Sequence, residues 1–513
     1  MKKHLLAAAI ALTFATAAHA APCDTTTDKL FSTPLAYSAS KGNTANVRCL
    51  IDAGANANAL DGNEFKHTPL FYAVHGGHTD TARLLIEKGA SVDDKDLLIA
   101  TESGHDAVTR LLIEKGAGVN ATDSIGTTPL MNAARKCSPD TVRALLEKGA
   151  KLDATTRGGD TALSYAAYHG KADAVRLLLD AGADVNTSRS GYNALMSAAG
   201  KGHTDVVRVF LEKGVKLDAR DSQGWTALMF AADNGRTDTA RALLDAGADV
   251  NASTLGYNAL MLAAQGGNAD TARLLLEKGA DARAVGKEDG ATALMLAANS
   301  GDADTTRLML EQGGKVNAKS KNGWTPLMFA AKGERAEAAR LLLDKGADVH
   351  AASTKGVTAL MVAASQGNAD TVKLLLDKGA KVNASDKDGN TALFLAEQEA
   401  HAGIARALID KGANVNAADK SGITTLMLAA KHGHADIVRA LLDKGANVNA
   451  TAKNGLTALM FAADNGDAGV VRLLLEKGAK PDAIGKDGNT ALSIAEQVGH
   501  AEIVKLLKAA GAK

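Results

Sequence analysis

The chain of 513 residues is poor in the residue types that stabilise many small or specialised folds. Its three cysteines cannot supply a disulfide framework, and its seven prolines exclude collagen and proline-rich disorder. Aromatic residues make up only 3%, so a core must be built from small aliphatic side chains. Acidic and basic residues are equal in number, 58 of each, and the resulting net charge of zero argues against a nucleic-acid partner.

The first twenty residues have the layout of an export signal. Lys2 and Lys3 precede an apolar run of about fourteen residues that ends in an Ala-His-Ala triplet. This layout predicts a Sec-type signal peptide over residues 1–20, cleaved before Ala21, because the run is too short to span a bilayer. We therefore expect an exported chain, periplasmic or secreted, with no membrane insertion.

The rest of the chain repeats one unit about every 33 residues. A glycine that ends a leucine-rich segment recurs at Gly54, Gly89, Gly116, Gly149, Gly182, Gly214, Gly247, Gly279, Gly313, Gly346, Gly379, Gly412, Gly445, Gly478 and Gly511. Most intervals are 32 to 34 residues, and the last six are all 33. A fixed period of this length predicts a stacked array rather than separate globular domains.

Each unit has the pattern of two short helices followed by a loop, which is clearest from Asp221 to Ala252. Thr226 is suited to cap the first helix, and Gly235 to end it. Leucines at helical spacing predict the second helix, which ends at Gly247. A stretch rich in Asn, Asp and Gly then forms a loop or hairpin. Since so short a helix pair cannot bury its apolar face alone, each unit must stack on its neighbours.

The recurring motif G-x-T-P/A-L-x-x-A-A-x-x-G-H, followed by V-x-x-L-L-x-x-G-A-x-V-N-A, resembles the ankyrin repeat. The resemblance covers about residues 24–513. It implies an all-α repeat solenoid of about fifteen stacked helix-turn-helix repeats, with β-hairpin or loop fingers along one edge. It also implies a concave groove beside the fingers, with room for one protein partner or several.

Two regions depart from the regular pattern. The interval from Gly89 to Gly116 is only 27 residues and has no T-P-L segment, so we expect the third repeat to lack its hairpin. The predicted organisation is a signal peptide at 1–20, an N-terminal cap with repeats 1–3 at 21–123, and a continuous array of repeats 4–15 with a C-terminal cap at 124–513. The twelfth and fifteenth repeats share GNTAL-x-x-AEQ, which suggests duplication of a C-terminal block.

Opposite charges recur at a fixed spacing within the repeats. Arg or Lys stands six residues before the closing glycine, and Asp or Glu two before it, in fourteen of fifteen repeats. Arg176 with Asp180 and Arg241 with Asp245 are examples. Such i, i+4 neighbours are expected to pair along the second helix and keep its face neutral. A basic stripe for nucleic acid or lipid is therefore disfavoured.

Aromatic residues recur just before the N-cap residue, at the base of the finger. In ankyrin arrays this position tends to face the groove, and an exposed aromatic row is typical of a protein-binding surface. The alternative is that each ring packs on the adjacent finger. Together with variable polar residues nearby, the row predicts a partner site that comprises Tyr168, His169, Tyr192, Trp225, Asp233, Asn234, Tyr257 and Trp324.

No catalytic motif of the HExxH, GxSxG, P-loop or CxxC type occurs, and neither a cofactor nor a metal site is expected. Six of thirteen histidines recur at one position after the inter-helix turn, where a structural role is favoured. His432 and His434 lack a nearby cysteine or a convergent set of carboxylates, so zinc binding there is disfavoured. Cys23 and Cys49 could form a disulfide in an oxidising compartment, whereas Cys137 is expected near solvent.

The leading functional hypothesis is a non-enzymatic, monomeric ankyrin protein of the bacterial periplasm. It would bind another protein in its groove and act as scaffold, inhibitor or protective partner. One alternative is a secreted effector that engages host proteins. Another is an enzyme, or an accessory subunit of an envelope enzyme, which the missing catalytic motif disfavours.

Overall fold

The computed structural model describes residues 23–27, 31–62, 66–187, 190–333 and 336–513. The predicted signal peptide lies outside these residues. Within them the chain forms thirty helices, arranged as one consecutive pair in each of fifteen repeats. The predicted all-α repeat solenoid of stacked helix pairs is thus confirmed. In the described part of the chain, no helix combines the length and the apolar character needed to cross a membrane.

The helices are seven to ten residues long. The first six repeats contain α1 (Pro34–Ser40), α2 (Thr44–Asp52), α3 (Pro69–His75), α4 (Thr79–Glu87), α5 (Asp94–Ser103), α6 (Asp106–Glu114), α7 (Pro129–Lys136), α8 (Pro139–Glu147), α9 (Ala162–Tyr168), α10 (Ala172–Asp180), α11 (Ala194–Lys201) and α12 (Thr204–Glu212). The next four contain α13 (Ala227–Asp233), α14 (Thr237–Asp245), α15 (Ala259–Gln265), α16 (Ala269–Glu277), α17 (Ala293–Ser300), α18 (Ala303–Glu311), α19 (Pro326–Lys332) and α20 (Ala336–Asp344). The last five contain α21 (Ala359–Ser365), α22 (Ala369–Asp377), α23 (Ala392–Gln398), α24 (Ala402–Asp410), α25 (Thr425–His432), α26 (Ala435–Asp443), α27 (Ala458–Asn465), α28 (Ala468–Glu476), α29 (Ala491–Val498) and α30 (Ala501–Ala509).

The fingers between repeats contain little regular β-structure. Strands β1 (Ser253–Thr254) and β2 (Tyr257–Asn258) pair in antiparallel register, with Ser253 opposite Asn258. In the described part of the chain, further fingers are closed by a single antiparallel bridge each, as between Val285 and Thr292. The chain divides into two compact units: unit 1 runs to Ala198 and includes His203–Lys216, and unit 2 comprises Ala199–Gly202 with Leu217–Lys513.

Helix boundaries follow from capping residues that recur in the repeat. The hydroxyl of Thr226 accepts a hydrogen bond from the backbone N–H of Met229 at 3.4 Å, which confirms the predicted N-cap of α13. Gly247, after α14, has a φ of 93°, a left-handed conformation that costs glycine little. Within each unit the resulting helix pairs are short and depend on stacking for their stability.

The core of each unit consists of alanine, leucine and methionine. Ala231, Ala232 and Met229 are fully buried in α13, and Ala263, Ala264 and Met261 are buried in the same way in α15. The small alanines let neighbouring helices approach closely, and the flexible thioether fills the remaining space. A core of this composition explains how a chain with so few aromatic residues folds.

An asparagine from the finger links each of seven repeats to the next one. The amide of Asn251 donates to the carbonyl of Gly279 at 3.1 Å, and its oxygen accepts from the N–H of Asp281 at 2.8 Å. The same pair of bonds is made by Asn58, Asn120, Asn317, Asn383, Asn416 and Asn449. The asparagine of the preceding repeat thereby supplies hydrogen bonds to backbone groups that follow the second helix and lack a partner within it.

The expected i, i+4 ion pairing along the second helix is wrong for most repeats. Among the described residues only Arg406 and Asp410 pair in this way, at 3.3 Å. Six aspartates at that position instead pair with a lysine of the following repeat, as Asp245 does with Lys278 at 2.7 Å. In five repeats the arginine pairs with an acid three residues before it. Ion pairs therefore join neighbouring repeats as well as residues one turn apart in the same helix.

The third repeat has no finger before its first helix, since α5 begins only a few residues after α4 ends. Two aspartates cap α5. The Asp93 carboxylate accepts from Lys95 N–H at 3.2 Å, and the Asp96 carboxylate accepts from Asp93 N–H at 2.9 Å. Burial raises the pKa of Asp96 to about 6. A polar cleft of about 610 Å³ lies beside this segment, between Asp94 and Lys148.

The cysteines divide into one bridge and one buried thiol. Cys23 and Cys49 are joined by a disulfide with Cα atoms 5.6 Å apart, which ties the segment before α1 to α2. The expectation that Cys137 lies near solvent is wrong, because it is 8% exposed and its Sγ lies 3.7 Å from the carbonyl of Thr101. Burial raises the pKa of this thiol to about 12, so the thiolate needed for reaction is disfavoured.

Candidate functional site

A cleft of about 330 Å³ lies between the fifth and sixth repeats of unit 1. We call it the tyrosine cleft, and its lining residues are Asp160, Ser164, Tyr165, Tyr168, His169, Tyr192, Asn193 and Ser197. Helix α9 and the residue after it supply one wall, whereas the finger base and α11 supply the other. Its volume is at the lower end of the range for ligand-binding clefts.

The rim of the cleft is formed by exposed tyrosines. Tyr168 is 47% exposed and Tyr192 40% exposed, and both are among the few large hydrophobic side chains with such exposure in the described part of the chain. The ring of His169 contacts Tyr168 edge to face, with centroids 5.0 Å apart. From the next turn, Nε2 of His203 bonds to the carbonyl of Tyr168 at 2.9 Å and fixes the end of α9.

Small polar residues leave the cleft open. Ser197 in α11 occupies the position that holds Phe230 in α13 and Phe329 in α19. A serine side chain is much smaller than a phenylalanine ring, and Tyr192 beside the cleft is 40% exposed. Asn193 uses its side-chain oxygen to cap α11 by accepting from Met196 N–H at 3.0 Å.

The cleft combines aromatic surface with polar groups but contains little charge. Partial desolvation of its ring, together with the positive charges of Arg135 and Lys171, lowers the pKa of His169. This shift favours the neutral imidazole at pH 7. Asp160 is the one acid in the lining, and it is exposed. Such a surface suits apolar and hydrogen-bonding side chains of a partner better than a highly charged ligand.

The two tryptophans in unit 2 are half-buried, so the expectation of an exposed aromatic row is wrong at these positions. The Trp225 ring packs on Phe230 with centroids 5.1 Å apart, and Trp324 packs on Phe329 at 5.4 Å. Each tryptophan thus contacts the first helix of its own repeat, which differs from both interpretations of the sequence. Much of their apolar area is already used within the fold.

Tyr257 is also half-buried and lies in β2 of the hairpin. Its hydroxyl donates to the Asp289 carboxylate at 2.5 Å. Burial, followed by this hydrogen bond and the charge of Asp289, raises the pKa of Tyr257 far above its ordinary value. The side chain connects one finger to the next and has a structural role.

Asp233 and Asn234 end helix α13, and their polar groups are used locally. The Asn234 amide donates to the carbonyl of Phe230 at 2.9 Å, and the carbonyl of Asp233 accepts from the Asn268 amide at 2.9 Å. Desolvation raises the pKa of the Asp233 carboxyl. Both residues thus support the turn and its contact with the next repeat.

Of the eight predicted partner-binding residues, the structure brings Tyr168, His169 and Tyr192 together in one cleft. The other five lie in unit 2 and are engaged in separate local contacts. Sequence reasoning missed Tyr165, which completes the aromatic lining. Its signal was available, because Tyr165 lies three residues before Tyr168 and therefore on the same face of α9.

The recurrent histidines have the structural role expected of them. Nε2 of His78 bonds to the carbonyl of Ser40 in the preceding repeat at 3.0 Å, and His105, His203, His401 and His500 make the same contact. His434 differs, since its Nδ1 lies 3.0 Å from the Glu397 carboxylate. One carboxylate, that of Glu397, therefore converges on His432 and His434, although the expected lack of a set of carboxylates is not contradicted.

Comparison with known families gives one result. A family model of ankyrin repeats, in blocks of three copies, matches residues 5–96, 97–189, 186–254, 252–320, 294–386, 360–452 and 426–513. Among curated proteins no match is found. Because the matched blocks extend over nearly the whole sequence and the structure contains the corresponding helix pairs, the chain belongs to the ankyrin-repeat family, whose members typically act through protein–protein interaction.

Proposed function

We propose that this ankyrin protein is a non-enzymatic scaffold that binds a protein partner at the tyrosine cleft. The observation that carries the proposal is the exposure of Tyr168 and Tyr192 around an open cleft. Exposed tyrosines that border a cavity are typical of the centres of protein interfaces. The fold also supplies a frame for the cleft, because the packed helices α9 and α11 contribute to its two walls.

The chemistry of the cleft favours an apolar or aromatic side chain of the partner, surrounded by groups that form hydrogen bonds. Tyr165 and Tyr168 offer ring faces, and the neutral His169 offers a donor or an acceptor. A partner residue such as leucine or phenylalanine would displace water from the space beside Ser197. The lack of a dense charge cluster disfavours a polyanion as the ligand.

We propose the bacterial periplasm as the location. The signal-like layout of residues 1–20 supports export, and a disulfide between Cys23 and Cys49 is chemistry of an oxidising compartment. Cell fractionation tests this step. The proposal predicts recovery in the osmotic-shock fraction, whereas recovery only from the culture medium would favour a secreted protein that acts outside the cell.

Site-specific photocrosslinking in intact cells tests the binding surface. A photoreactive phenylalanine analogue replaces Tyr192 in one variant and Ile484, an even more exposed apolar residue of the last finger, in the control. We expect one discrete adduct from position 192 that position 484 does not give, with its protein identified by mass spectrometry. Identical adduct patterns at the two positions would contradict the assignment of the cleft.

A further inference from the structure

One alanine column of the stack contains a buried glutamate. Six residues after the N-cap, eleven repeats carry a fully buried alanine, namely Ala39, Ala134, Ala167, Ala199, Ala232, Ala264, Ala298, Ala331, Ala364, Ala430 and Ala463. The twelfth repeat has Glu397 at this place, and it is 0% exposed. A carboxylate is costly in such a position unless a partner compensates its lost hydration.

The groups that face Glu397 come from the thirteenth repeat. His432 ends α25, and His434 precedes α26, with Gly433 between them in a left-handed conformation with φ of 73°. This turn places the two imidazole rings on one side, with centroids 5.5 Å apart. One ligand atom from each of Glu397, His432 and His434 lies within 4.8 Å of the other two.

Protein partners satisfy only part of this cluster. Glu397 Oε2 bonds to His434 Nδ1 at 3.0 Å, but Oε1 is buried without a hydrogen-bond partner. Nδ1 of His432 is also buried without a partner. Two buried polar atoms without a partner in one cluster are uncommon, because each costs free energy when it is left unpaired.

The orientation of His434 points to the same cluster. At the equivalent position, five other histidines bond through Nε2 to a backbone carbonyl of the preceding repeat. His434 turns Nδ1 to Glu397 instead, so its ring belongs to the cluster rather than to the regular connection between repeats.

We propose that Glu397, His432 and His434 bind a zinc-class divalent cation that joins the twelfth and thirteenth repeats. Two imidazole nitrogens and one carboxylate oxygen are a ligand set that Zn²⁺ accepts, with water in the fourth position. Tetrahedral coordination at bond lengths of about 2.0 to 2.2 Å brings ligand atoms to about 3.3 Å from one another. The ligand atoms, which lie within 4.8 Å of one another, would approach to this distance when the ion binds.

Burial shifts the pKa of two groups of the cluster toward their neutral forms. Desolvation, and next the neighbouring His434, lowers the pKa of His432, which keeps its nitrogen free to coordinate. Desolvation raises the pKa of Glu397, and a bound cation would favour its ionised form. The other charged groups nearby are Lys431, Glu399 and Asp436, two of them acidic.

Metal titration of the full chain, purified without a polyhistidine tag, tests the proposal. With Co²⁺ as a spectroscopic probe, we expect saturable visible bands of a tetrahedral site that Zn²⁺ displaces, at about one ion per chain. Zn²⁺ should also raise the Tm. Glu397→Ala supplies the residue of eleven other repeats, so this variant should fold and melt at the same temperature or higher without metal.

The matched control is Glu496→Ala, which changes the equivalent glutamate of the last repeat. Glu496 is exposed and pairs with Lys508, so we expect this variant to bind Zn²⁺ as the wild type does. Glu397→Ala and His432→Gln should each weaken Zn²⁺ binding by about 100-fold and abolish the Co²⁺ bands. The proposal is overturned by an absence of saturable binding to the wild type, or by equal binding to Glu397→Ala and Glu496→Ala.

Discussion

Tyr192 and Trp225 occupy the same position in consecutive repeats, but their rings have different surroundings. Tyr192 is exposed beside an open cleft, whereas Trp225 is half-buried against a phenylalanine of its own repeat. The residue five positions later explains the difference, since it is Ser197 in one case and Phe230 in the other. The aromatic residues of this column are therefore not equally exposed, and the residue five positions later differs between the exposed ring and the half-buried one.

The two tyrosines are better candidates for partner binding than the two tryptophans. Trp225 and Trp324 have the larger rings, but each has a phenylalanine partner, at 5.1 Å and 5.4 Å. An interface needs apolar area that the monomer leaves in water, and Tyr168 and Tyr192 offer more of it. The tyrosine cleft is therefore the better candidate in spite of its smaller side chains.

The largest expected effect is a difference in the free energy of unfolding between two alanine variants. Trp225→Ala removes a half-buried ring and exposes Phe230, so we expect the free energy of unfolding to fall by about 2 kcal/mol. Tyr192→Ala removes an exposed ring and should change it by less than about 0.5 kcal/mol. Urea denaturation followed by far-UV circular dichroism measures both. Equal losses would mean that the two rings are packed alike.

Ser197→Phe converts the exposed arrangement into the packed one. The new ring should cover Tyr192, as Phe230 covers Trp225, and add about 1 kcal/mol of stability by burying apolar area. Chemical nitration with peptide mapping measures the accessibility of Tyr192, which should fall several-fold while that of Tyr168 changes less. Unchanged nitration of Tyr192 would show that the residue at position 197 does not control its exposure.

Substitution of Asp233 should have the smallest effect on stability, and its pH dependence tests the structural role of this residue. Desolvation raises its pKa in the folded state, so ionisation costs stability as the pH rises above the ordinary value of about 3.9. Asp233→Asn should be more stable than the wild type at pH 7 by a few tenths of a kcal/mol, because the residue is only half-buried. Below about pH 4 the two should melt alike. An advantage that persists at low pH would exclude the charge as its cause.

The sequence contains enough information to predict the architecture. The closing glycines repeat at one period, and residues such as Thr226 have the chemistry of helix caps, which depends only on local backbone geometry. The ion pairs between successive repeats do not follow from the local sequence. Lys278 reaches Asp245 in the preceding repeat, and that contact depends on the spacing between stacked repeats rather than on the spacing along one helix.

The site was predicted only in part, for the same reason. Tyr168, His169 and Tyr192 were selected because they vary or are aromatic at positions that face the groove, and the cleft brings them together. The exposure of each ring depends also on a residue at another position of the repeat, such as Ser197 beside Tyr192. The aromatic column alone therefore does not predict which rings are exposed. Glu397 lies one repeat and four residues before His434, so their contact appears only when successive repeats are aligned on one another.

Binding of the partner captured at position 192 tests the central claim most directly. Isothermal titration compares the wild type with Tyr168→Ser plus Tyr192→Ser, both exposed positions whose substitution leaves the core unchanged. If the tyrosine cleft binds the partner, the double variant should raise the Kd by at least about tenfold while its thermal melting stays that of the wild type. Equal dissociation constants for the two proteins would contradict the account.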